Sequence, residues 1–251
     1  MREFFVDQIP GMQFTLFGPL HNALTFIVIL GLYLIYYYRD EIRKISSKNK
    51  TILTYSFIII LYFNMFIYYN GFSYYGIYSW KNHLPIHFCY ISSFSFMIAI
   101  LLKKKNWLNV IYFFTFIGPL PAILWPKMVS SFDSFIFYQW IISHHFFLLG
   151  SFFIYYMYDL EITKKDFIKV FFVANLVFIG ATIFNYLFDT NYIFSNEIPE
   201  YVFRLYPFLK SFNYPIILLE VTGMIMALVA YIPVILRNKE REKTQNYFLN
   251  S

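Results

Sequence analysis

The chain of 251 residues is 59% hydrophobic and 24% aromatic but only 14% charged, and its charges gather in short clusters between long uncharged runs. That composition leaves no room for a soluble domain and describes an all-α polytopic membrane protein. The formal net charge of +6 reads as attraction to an anionic inner leaflet rather than nucleic-acid binding, since the basic clusters come with no nucleic-acid fold.

A helix needs roughly 20 mostly apolar residues to cross the hydrocarbon layer. Seven stretches qualify, in chain order about Leu20 to Tyr38, Ile52 to Tyr69, Leu84 to Leu102, Trp107 to Trp125, Phe135 to Tyr158, Phe167 to Phe188 and Tyr214 to Leu236. The first is too long for a signal peptide and ends in Arg39-Asp40-Glu41 rather than at a small-residue cleavage site, so it is expected to stay in the mature protein. The gap from Asp189 to Asn213 is a modest loop and the tail after Leu236 is short and polar. Residues 1–251 therefore read as a single integral membrane domain, a bundle of about seven transmembrane helices. Neither half repeats the other, and no Gly/Pro-broken spans stand in matching positions, which argues against a transporter.

Lys and Arg set the orientation. One side collects Arg39, Arg43, Lys44, Lys48, Lys50, Lys103, Lys104, Lys105, Lys164, Lys165, Lys169, Arg237, Lys239, Arg241 and Lys243, which is 15 of the 20 basic residues. The other keeps Arg2, Lys81, Lys127, Arg204 and Lys210. The bias predicts an outside N-terminus, a cytoplasmic C-terminus and a multi-pass protein of the cell membrane.

On this topology the polar residues of the spans cluster by depth. At 1.5 Å of rise per residue, Cys89 lies about 8 Å below the outer end of its span, His144 about 14 Å and Glu220 about 9 Å, with Asn185 about a turn from the end of the sixth. All five histidines, His21, His83, His87, His144 and His145, fall in the same outer half. Ionisable groups within hydrocarbon are costly and normally face the bundle interior or a wet cavity, so these predict a cavity opening toward the outer leaflet. Asn64, Asn175 and Asn22 read as groups that bond neighbouring helices.

Cys89 is the only cysteine, so it either packs as a small apolar side chain or reacts as a nucleophile. On a continuous helix His87 and Cys89, two residues apart, point to nearly opposite sides, which makes His87 a poor base for the thiol unless Pro85 distorts the helix start. The base is then expected from another helix, as His144 or His145. These project about 100° apart, so one of the two is expected to reach the cavity.

The motifs Phe17 to His21, Leu84-Pro85-Ile86-His87-Phe88-Cys89, Gly118-Pro119 to Trp125-Pro126, Gln139-Trp140-Ile141-Ile142-Ser143-His144, Asn185 through Asn191-Tyr192, and Leu219-Glu220 resemble, in order and content, the YwaF-like bacterial integral membrane proteins. That group is similar to the animal transmembrane protein 164 family. In these proteins a small residue usually follows the Ser-His pair, so His144 takes the family's position and His145 is an addition of this chain. The resemblance implies a phospholipid acyltransferase or transacylase that places an acyl chain on a lysophospholipid, with Cys89 as the acyl-carrying nucleophile and His144 as the general base. Around them, Glu220 is expected to orient or charge-stabilise His144. Asn185 and Asn191 would donate to a carbonyl or headgroup, and Tyr192 would hold the headgroup phosphate. His87 would bond the headgroup or close the cavity, and His21 would line its mouth. No cofactor is implied. The partners are phospholipid and lysophospholipid substrates in the membrane, with no nucleic acid.

Two other readings predict different behaviour. His83, His87, His144, His145 and Glu220 could furnish a metal site for an intramembrane lipid hydrolase, although no HExxH-type pairing is present. A non-enzymatic seven-helix binding protein would keep its activity without Cys89.

Overall fold

The computed structural model describes residues 1–6, 14–128, 131–211 and 214–249, all of it helix or connecting segment. The helices in chain order are α1 (Pro19–Tyr37), α2 (Arg39–Arg43), α3 (Ser47–Tyr74), α4 (Trp80–His83), α5 (Phe88–Leu101), α6 (Lys105–Ile117), α7 (Pro119–Leu124), α8 (Phe135–Trp140), a π-helical turn (Ile141–Phe146), α9 (Phe147–Met157), α10 (Lys164–Phe188), α11 (Glu200–Leu205) and α12 (Pro215–Leu249). Among the described residues, six stretches are long and apolar enough to cross a membrane: α1, α3, α6 with α7, α8 through α9, α10 and α12. The apolar helix α5 is shorter than these. The protein is a polytopic helical membrane bundle.

The boundaries follow from local chemistry. Thr163 and Asp166 close a capping box at the start of α10, each side chain accepting from the other's backbone N–H. Asp189, with φ 51°, ends that helix in the left-handed conformation. The fourth expected span breaks at Gly118, because Pro119 has no N–H to continue the ladder and opens α7 instead.

The third span departs furthest from expectation. A residue before proline is driven to extended backbone, and Leu84 before Pro85 has ψ 148°. His87 is also extended, with ψ 142°, and caps the helix, which begins only at Phe88 rather than Leu84. The remaining 14 residues rise about 21 Å, short of the roughly 30 Å hydrocarbon core. Non-helical backbone at membrane depth survives only where protein buries it or a cavity lies beside it, and segment 84–87 meets that condition.

The core centres on α6, where every residue from Leu108 to Phe116 is buried. It packs against α5, α9, α10 and α12. Ser92 Oγ donates to the Phe114 carbonyl at 3.0 Å and Tyr112 Oη to the Ala230 carbonyl at 2.9 Å, tying α6 to α5 and α12. Helices α1, α10 and α12 instead turn mostly apolar, exposed faces outward to lipid.

One end of the bundle is a clasp of charge. Asp159 pairs with Arg43, Arg237 and Arg241, Arg241 also pairs with Glu161, and Arg39 pairs with Glu240. These contacts gather α2, the α9–α10 connection and the distal part of α12 at the end that carries most Lys and Arg. The start of α5, the loop after α10 and the start of α12 lie toward the other end.

Candidate functional site

At that other end a cavity of about 650 Å³ is lined by the first turn of α5, by α7 and the segment after it, by α8 and the π-helical turn, by α10, by residues 193–209 and by α12. Cys89, His144, His87 and Glu220 all line it. Among the expected residues it does not reach His21, Asn185, Asn191 or Tyr192, each of which is engaged elsewhere.

Because α5 starts at Phe88, Cys89 sits in the first helical turn, whose Tyr90 N–H donates back to the capping His87 carbonyl at 2.9 Å. Amides at a helix start have no intrahelical acceptor and favour negative charge placed beside them. Gly118 presses on this turn: a Cβ there would stand 3.0 Å from Cys89 Cα and 3.0 Å from Cys89 N. The glycine thus lets α6 end directly against the thiol-bearing backbone.

His144 is buried within the π-helical turn, a widening of the helix that frequently occurs at functional sites. Its Nδ1 lies 2.9 Å from the Trp140 carbonyl oxygen. A carbonyl only accepts, so Nδ1 carries the proton and the lone pair of the neutral ring is on Nε2. Trp140 is itself fixed, its Nε1 donating to the Ala122 carbonyl at 2.9 Å. Behind the turn, Ser143 Oγ accepts from Asn64 and Gln139, and Gln139 also donates to Tyr90 Oη at 3.2 Å. The turn sends the two histidines to different places. His145 is buried with neither ring nitrogen hydrogen-bonded, edge-on to Trp140 at 4.4 Å, and does not line the cavity.

His87 has the opposite tautomer. The backbone N–H of Ile193 donates to its Nδ1 at 3.2 Å, so its proton is on Nε2. The extended backbone around Pro85 is the stated exception to opposed faces, since His87 and Cys89 do not share a continuous helix and both open on one cavity. Ile193 and Phe194 hold φ of 60° and 64°, a region bulky residues avoid at a cost of order 1–3 kcal/mol each.

Asn185 pins that strained loop. Fully buried, it accepts from Thr190 Oγ1 and the Tyr192 N–H and donates to the Tyr192 carbonyl and Ser195 Oγ, all within 2.7–2.8 Å. Its four bonds leave it nothing for a substrate. Tyr192 Oη donates to the Trp80 carbonyl and accepts from the Leu84 N–H, clamping the extended segment before α5 rather than facing a phosphate. Asn191 bonds the backbone of residues 196 and 197. His21 is buried between the Phe17 N–H and the Ile123 carbonyl, fastening α1 to α7. Glu220 lines the cavity but makes no hydrogen bond to His144, whose orientation comes from Trp140.

The sequence reading missed Lys127, Gln139 and Tyr90 as lining residues. Lys127 was visible only as a loop charge, and Gln139, although inside a quoted motif, carries no chemistry that spacing reveals. Among the described residues no three of His, Cys, Asp and Glu stand together as metal ligands.

The model of the TMEM164 family matches residues 16–231. The chain belongs to the TMEM164 family. Comparison with curated proteins and with solved structures finds no match. The stretch matched to the TMEM164 family contains every residue that lines the cavity, from His87 to Ala227.

Proposed function

We propose that this TMEM164-family protein, a relative of the YwaF-like bacterial membrane proteins, is a phospholipid transacylase that works through an S-acyl cysteine. The observation that carries the reading is the pairing of one thiol with one free imidazole lone pair on a single membrane cavity. His144 Nε2 takes the proton of the Cys89 thiol, and the sulfur attacks the ester carbonyl of a donor phospholipid. The tetrahedral oxyanion collapses, the lysolipid oxygen leaves with the proton from His144, and the acyl chain stays on sulfur as a thioester. An acceptor lysophospholipid hydroxyl then gives its proton to His144 Nε2 and attacks the thioester. The sulfur departs and regains the proton.

Three features support this division of labour. The Trp140 carbonyl keeps His144 in the base-competent tautomer, as the orienting member of other nucleophile–base pairs does. Cys89 sits in the first turn of α5, where the helix dipole favours negative charge on the sulfur. The apolar cavity walls disfavour water, the competing acceptor. With the basic clasp facing the cytoplasm by the positive-inside rule, the cavity serves the outer leaflet of the cell membrane.

The test is acylation of radiolabelled lysophospholipid by the purified protein in phospholipid vesicles. Wild type is expected to form labelled diacyl lipid, and Cys89→Ala and His144→Ala are expected to form none above background. Equal product from Cys89→Ala overturns the cysteine mechanism.

A further inference from the structure

Lys127 is the only lysine or arginine among the described residues that line the cavity, and it stands exposed at the rim, on the segment that follows α7. It has no carboxylate partner among the described residues, although Glu220 lines the same cavity. An exposed ammonium at the rim of an apolar cavity attracts an anionic group that enters it. The ligand it selects carries negative charge.

A second donor faces the same space. The Ile193 N–H occupies His87 Nδ1, so the imidazole presents Nε2–H, and that hydrogen has no acceptor within the described residues. Lys127 and His87 line the same cavity. The arrangement is built at a cost, because Ile193 and Phe194 are held in the left-handed region by the four bonds of Asn185. A fixed N–H donor beside a flexible ammonium suits a tetrahedral oxyanion with several acceptor oxygens.

We infer that Lys127 and the Nε2–H of His87 form the phosphate-recognition site of the cavity, holding the headgroup phosphate of a lysophospholipid whose acyl chain runs into the apolar space between α10 and α12. Ala174 and Phe178 on α10, with Gly223 and Ala227 on α12, supply that space. Lys127 is therefore a specificity residue: it separates phosphate-bearing lipids from uncharged ones. The inference rests on the acyl-transfer reading for its choice of lipid, but its test does not depend on catalysis.

The experiment is native mass spectrometry on the Cys89→Ala protein, which cannot be acylated at the thiol. A lysophospholipid and a monoacylglycerol of the same chain length compete for retention. A charge-assisted hydrogen bond favours the lysophospholipid by about tenfold or more. That preference is expected to fall to about unity in Cys89→Ala/Lys127→Gln and to persist in Cys89→Ala/Lys127→Arg. A thermal melt of each variant confirms that it is folded. A preference unchanged in the Lys127→Gln variant means that the lysine meets only the surrounding leaflet and overturns the proposal. Inorganic phosphate is expected to leave the bound lysophospholipid in place, and displacement by phosphate assigns the site to a soluble phosphate compound instead. Failure of Cys89 to acylate in the wild type sinks the catalytic reading and leaves this retention ratio standing.

Discussion

Two histidines with opposite tautomers divide the work of the cavity, and each tautomer is dictated by a backbone group. The Trp140 carbonyl fixes the proton of His144 on Nδ1, and the Ile193 N–H fixes that of His87 on Nε2. In the proposed mechanism the base is therefore His144, the one whose Nε2 carries a lone pair, and His87 presents an N–H donor. Removing a positioned general base typically costs 10²–10⁴ in rate, so His144→Ala is expected to lower acyl transfer by about that factor while the melting temperature moves little. A stopped-time transfer assay beside a thermal melt checks it, and loss below tenfold would assign the base elsewhere. That Cys89 and His144 lie at one cavity was legible from their shared depth. The tautomers were not, because both partners are main-chain groups that the fold brings in. The same holds for Asn185, Tyr192 and His21: their polar side chains at the right depth read as site groups, yet each is consumed by backbone that only tertiary structure supplies.

Helix breaks, more than helices, build the site. The break at Leu84-Pro85 frees His87 to cap α5, the break at Gly118-Pro119 brings α6 onto that cap, and the π-helical turn separates His144 from His145. Gly118→Ala places a methyl 3.0 Å from the Cys89 backbone. Overpacking of this kind costs about 1–3 kcal/mol, and here it also displaces Cys89. Acyl transfer is expected to drop at least as far as stability, read by the same assay at a temperature well below the melt. Full activity would show that α5 shifts without consequence. Asn185→Ala strips four bonds from the loop after α10 and leaves buried groups unsatisfied, at about 1–3 kcal/mol for each. Limited proteolysis is expected to cut near residues 190–211 in this variant before any other site, and unchanged protection would deny Asn185 its holding role. The spans themselves were legible because long apolar runs have few other uses. Pro85 hinted at one break, Pro119 was read through as part of a continuous span, and the π-helical turn left no mark in the spacing of Ile141 to Phe146.

At the scale of the whole bundle the two ends do different things. The charged end is a clasp in which Asp159 serves three arginines, one of them, Arg237, almost fully buried. Replacing one partner of a buried pair costs about 3–5 kcal/mol, and less here because Asp159 is about half exposed. Asp159→Asn is expected to lower stability by about 2 kcal/mol, measured as a fall in thermal midpoint in detergent, without changing the preference between lysolipids. A melt identical to wild type would show that Arg237 finds other acceptors. Charge bias made this end legible as a side of the membrane, but not as a clasp, since its partners are far apart in sequence. The opposite end carries the central claim, a thiol that accepts an acyl chain. The direct measurement is intact-protein mass spectrometry after incubation with a defined diacyl phospholipid, wild type beside Cys89→Ala. The account predicts one added acyl mass on the wild type alone, released by hydroxylamine and transferred on addition of lysophospholipid. An unmodified wild type that still acylates lysolipid would contradict it.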